Sequence, residues 1–168
     1  MKTLVFLTLF AVSSFAQSPS LMKGSQRTYT FAKTNIMRSA EKVPEETFSF
    51  KPTPEVRSFG DVLAHIADAQ YLFCSAALGG EAPKSSVEKT WKTKAGLIES
   101  LKTAFEYCDK AYALGEENAT KAVKLFGGDS TVITALDFNT AHNFEHYGNL
   151  ATYMRLKNII PPSSEPRK

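Results

Sequence analysis

The chain lacks most of what would assign it to a membrane, a nucleic acid or a repeat architecture. Beyond its first residues no stretch is apolar enough to cross a bilayer. Lysine and arginine number 20 against 17 aspartate and glutamate, and the two signs are interspersed. That leaves no stripe for nucleic acid and no polybasic membrane patch. There is no internal repeat, no low-complexity tract and no convincing strand pattern. Two cysteines permit at most one intramolecular disulfide. Composition is otherwise ordinary for a globular protein, at 43% hydrophobic and 22% charged.

Histidine is also scarce, and the three that occur are placed with a pattern. His142 and His146 stand four apart in a helical-looking segment, so both lie on one face, one turn apart. That spacing lets two imidazoles reach one metal ion. With His142 at zero, Phe138, His146, Asn149 and Tyr153 fall within about 40° and Glu145 at about 60°. Such a stripe is too polar for a plain core and too ordered for a solvent face. His65, in a second helical segment, shares its side with Val62, Ala69 and Leu72 within about 60°, which points it inward. Asp68 lies on the shoulder of that face, where it can orient the His65 ring. Three nitrogen ligands without an obvious fourth leave a coordination position open, as catalytic sites do. The bland alternative is a set of hydrogen-bonded core histidines, and spacing alone does not bring His65 to the other two.

Read in order, the chain opens with Lys2, a short apolar run and small residues at Ser14 and Ala16. This is a secretory signal peptide over 1–16, too short to span a bilayer, and no cysteine follows it to carry a lipid anchor. Residues 17–168 then form one domain. Helices are expected over 20–43, 58–78, 93–114 and 131–157, from apolar residues recurring at three- and four-residue steps. Pro44, Gly79-Gly80, Gly115 and Pro161-Pro162 stop them. Ser58 with Asp61 reads as a capping box. Residues 119–126 are expected to make one or two helical turns, and Trp91 to pin the connection 81–92 onto the helices. The fold class is therefore all-α, a four-helix bundle. The connection between helices two and three, about 14 residues, covers some 45 Å extended against about 30 Å for a 20-residue helix, so these two helices can run parallel. Cys74 and Cys108 would then lie at one level, within reach of a disulfide. In antiparallel neighbours they would be roughly 15 Å apart and remain two small buried hydrophobes.

Two blocks carry a family likeness. The first is Phe50-Lys-Pro-Thr-Pro-Glu-Val-Arg-Ser-Phe-Gly-Asp-Val-Leu-Ala-His-Ile-Ala-Asp68, and the second runs from Asn143-Phe-Glu-His-Tyr-Gly-Asn149 to Pro162. Together with the helix order they resemble the DinB-like (DinB/YfiT-like) superfamily of metalloenzymes over essentially the whole mature chain. The resemblance implies a bundle in up-down-down-up order and a divalent metal held by His65, His142 and His146. Zinc suits three imidazoles best, with nickel, iron or manganese also accepted. Activities in the superfamily include thiol-dependent transfer. Export to a periplasmic or extracellular space that is kept oxidising argues against a thiol cosubstrate. The expectation is a metal-dependent hydrolase or transferase acting on a small molecule, with Glu145, Asn149 and Tyr153 placed to position substrate or move a proton. No nucleic-acid partner is expected, and a homodimer is compatible with the reading. The alternative is an exported metal-binding or structural bundle without turnover, in which Phe138, Leu72 or Tyr153 plugs the site.

Overall fold

A computed structural model describes residues 20–166. The segment 1–16, expected to be a signal peptide, lies outside the described residues. Four long helices carry the structure: α1 Leu21–Lys42, α2 Phe59–Leu78, α4 Lys94–Tyr112 and α5 Val132–Leu156, with a single-turn α3 at Val87–Thr90. Among the described residues no helix is long and apolar enough to cross a membrane.

Each long helix begins at a side-chain oxygen that takes an orphan amide: Ser20, Ser58, Thr93 and Thr131. Ser58 and Asp61 form the full reciprocal box. Glu116, just after α4, adds a second cap to α1 by accepting from the Leu21 and Met22 amides at 2.9 and 3.1 Å. Pro161 and Pro162 do not end α5. Asn158 does so first, at φ 58°, with the Ile159 amide folding back to the Met154 carbonyl at 2.8 Å.

The core is shared by all four helices, with Ile36, Leu63, Ile66, Leu97, Leu101, Phe105 and Leu136 among its fully buried side chains. Contacts fix the relative directions. Trp91, just before α4, lies on Gly60 at the start of α2, and Cys74 and Cys108 meet further along both helices at a Cα separation of 5.3 Å, the span of a disulfide. The same order along both helices makes α2 and α4 parallel neighbours. Along α5 the order reverses: Cys74 faces Asn139, Gln70 bonds Asn143 at 2.7 Å, and the Arg57 carbonyl meets Tyr153. α1 pairs with α5 through Ser25 and Asp137 near their starts and with α4 through Tyr29 and Asp109.

A second expectation fails. Residues 119–126 are not helical. A hairpin stands there, β1 Ala122–Leu125 and β2 Gly128–Thr131, antiparallel, with Leu125 opposite Gly128. Its two-residue turn places Phe126 and Gly127 at φ 52° and 79°, the left-handed pair that matches strand twist. The bulky Phe126 holds this conformation because its ring packs edge-on against Phe73 and Phe138, with centroids 5.7 and 5.4 Å away.

Candidate metal centre

α2 and α5 cross where their histidines sit. The Nε2 atoms of His65 and His142 are 3.2 Å apart, and those of His142 and His146 are 3.1 Å apart. One ligand atom from each ring lies within 4.8 Å of the others. Two ligands at 2.0–2.1 Å from one zinc ion stand about 3–3.4 Å apart, so the closer pairs already have ligand spacing. An imidazole ligand must be neutral, and the site favours that state for His142 and His146. Burial, then the neighbouring charges of His146, His65 and Arg57, lowers the His142 pKa to about 4. His146 is lowered as well, by burial first and then by His65. Three imidazole nitrogens converging in a part-buried site fit a divalent ion of intermediate softness.

The second ring nitrogens are supported unequally. His65 Nδ1 is 3.3 Å from Glu88 Oε2, so it can donate to a carboxylate while Nε2 faces the metal position. His146 Nδ1 is 3.3 Å from the Asn149 amide, whose oxygen can accept that proton once the amide turns over. His142 Nδ1 is buried with no partner among the described residues.

Glu88 is the residue that sequence reasoning missed. Asp68 makes its own hydrogen bonds away from His65. Its carboxylate accepts from the Val87 and Glu88 amides at 2.9 and 3.0 Å and from the Ser85 hydroxyl. It thereby caps the short α3 and sets Glu88 in place. The other end of the connection is pinned by Trp91, which donates from Nε1 to Asp61 at 3.0 Å, the anchoring role its sequence position suggested. Burial pushes the Glu88 carboxyl upward, but Arg57 at 2.7 Å and His65 outweigh it and hold the group below its usual range. Glu88 stands on a helix of one turn, too short for any periodicity to have marked it.

Of the remaining candidates, Glu145 and Asn149 are exposed and Tyr153 is 7% exposed. All three line one pocket of about 520 Å³, together with Arg57 and His146. The Tyr153 hydroxyl donates to the Arg57 carbonyl at 3.1 Å, and burial raises its pKa, so it is a strut rather than a ready base. Phe138 and Leu72 do not plug the site. They are 47% and 48% exposed. The aromatic neighbour of His142 is instead the buried Phe73, with ring centroids 5.4 Å apart. Cys74 and Cys108 lie deeper, beside Asn139, whose amide nitrogen is 3.8 and 3.5 Å from the two sulfurs.

The chain is similar to known proteins in both sequence and fold. The family model of the DinB superfamily matches residues 28–150. Two solved structures share the fold. One is a DinB-like protein from Bacillus cereus, at TM-score 0.73 and 15% identity, covering 83% of this chain and 95% of that one. The other is a DinB-like protein from Bacillus subtilis, at TM-score 0.68 and 24% identity, covering 86% and 99%. None of the curated proteins matches. The family match spans both α2 and most of α5, the two helices that bring the histidines together, and the chain belongs to the DinB superfamily.

Proposed function

We propose that this protein is an exported, divalent-metal-dependent enzyme, a hydrolase or transferase acting on a small molecule. The observation that carries the reading is the pocket of about 520 Å³ that shares His146 with the three-histidine cluster. Its size falls within the roughly 300–1,000 Å³ of small-molecule sites. A larger cleft of about 780 Å³, lined by Arg27, Phe31, Arg38 and the C-terminal tail, contains no histidine and offers no comparable chemistry.

His65, His142 and His146 would hold the ion, with zinc the best match to three imidazoles. When bound, such an ion supplies Lewis-acid polarisation of a substrate oxygen. The protein's own groups do the rest. Glu88, and Asn149 with its amide turned over, would fix the tautomers of two ligands. Glu145, exposed on the pocket wall, is placed to carry a proton between substrate and solvent. Export is supported by the leader-like first residues and by the cysteine pair at disulfide distance.

Elemental analysis of the mature protein, followed by a hydrolase and transferase substrate panel with and without chelator, tests the reading. The expected result is one metal ion per chain and turnover that chelator removes. One bound ion with no chelator-sensitive turnover would support a metal-binding bundle without catalysis. A chain that binds no ion would overturn both.

A further inference from the structure

Arg57 has a geometry that the metal centre does not account for. It sits one residue before the Ser58 cap of α2 and is fixed twice. Tyr153 holds its backbone carbonyl, and Glu88 Oε1 holds its Nε at 2.7 Å. The other oxygen of the same Glu88 carboxylate faces His65. One carboxylate therefore ties the arginine and a histidine of the cluster into a single rigid unit. Among the described residues the two terminal amines of Arg57 have no hydrogen-bond or ion-pair partner, and the side chain is 44% exposed on the pocket. Its charge depresses the proton affinity of both His142 and His146, which places it within electrostatic reach of the cluster.

We propose that the pocket selects small molecules bearing a carboxylate, which takes two parallel hydrogen bonds from the Arg57 terminal amines while the rest of the molecule faces the histidines. A planar guanidinium fork with its Nε already occupied presents the geometry that pairs bidentately with a carboxylate. Glu55 and Glu145 also line the pocket, and Glu88 already offsets the arginine charge. Recognition therefore rests on the fork and not on a positive field. This substrate class rests on the small-molecule reading above.

The test is an NMR titration of the zinc-loaded and the metal-free protein with acetate and with acetamide, its uncharged counterpart. It follows the Arg57 Nε–H and the backbone amides around Asn149. Acetate is expected to move these signals and to bind at least tenfold more tightly than acetamide in both forms. Arg57→Gln should weaken acetate at least tenfold, equivalent to about 1.4 kcal/mol, without changing zinc stoichiometry. Arg57→Lys keeps the charge, loses the fork and should recover only part of the affinity. Equal binding of acetate and acetamide overturns the proposal, as does undiminished acetate binding by Arg57→Gln. If Arg57→Gln does not fold, wild-type acetate affinity in Arg57→Lys overturns it instead. A wild-type protein that takes up no zinc defeats the functional reading alone, because the metal-free titration still decides the role of Arg57.

Discussion

The three histidines are chemically alike but differently supported. Glu88 backs His65 and Asn149 adjoins His146, while His142 has no partner for Nδ1 among the described residues. Replacing Glu88 with Gln keeps the side-chain size and removes the carboxylate that orients His65. Zinc affinity is expected to fall about 10- to 100-fold, the usual effect of losing an outer partner of a metal-binding histidine. Competition with a chromophoric chelator would measure it. His146→Ala should abolish stoichiometric zinc binding and leave the far-ultraviolet circular dichroism unchanged, since helix packing supplies most of the stability. Loss of helicity with the metal would make the site structural. His142 also makes the metal-free fold acid-sensitive. His142 binds its proton more weakly when folded, at about 4, than when unfolded, near 6.5. As pH falls through that interval the unfolded chain takes up the proton first, so this contribution is fully present above about 6.5 and lost toward 4. Urea midpoints at stepped pH should decline over this window, and less steeply in His142→Gln. The cluster was legible because an i, i+4 pair and one inward histidine exhaust the histidines of the chain. Glu88 was not, because its position depends on Asp68 capping a helix of four residues.

At the scale of elements, the connection between α2 and α4 is the part that most needs its particular side chains. A β-carbon on Gly60 would stand 2.5 and 2.7 Å from two ring atoms of Trp91 and 3.1 Å from the Phe48 carbonyl. The indole is held by its bond to Asp61, so it cannot swing away freely. Gly60→Ala is expected to destabilise the protein by about 1–3 kcal/mol, as overpacking does. A denaturation midpoint together with Trp91 fluorescence would report the cost and the displacement. The long helices could be read from periodicity, and one of their caps from Ser58 with Asp61. The hairpin could not. Val123 and Leu125 alternate over only four residues, too few to distinguish a strand from a helical turn. What selects the strand is a contact distant in sequence, Phe126 against Phe73 and Phe138.

Across the whole molecule, the cysteine pair and the histidine cluster both tie partners to α2. A Cys74–Cys108 bond would join α2 to α4, closing a loop of 34 residues, with stabilisation of about 3–4 kcal/mol in the chain-entropy model. Mass spectrometry of unreduced, alkylated mature protein should find no free thiol. Two alkylated cysteines in protein recovered from an oxidising compartment would refute the bond. An ion on the three histidines would join α2 to α5. Neither tie reaches α1, which is held by its buried face, by Glu116 at its start, and by Arg38 and Lys42 pairing with Glu165 at its end. With both ties in place the bundle would have a built-in order of opening. In the oxidised, loaded protein α1 is the helix that can detach without breaking a covalent or coordinate link. Its buried amides should exchange with solvent deuterium before those of α2, α4 and α5, at a rate that added zinc barely slows.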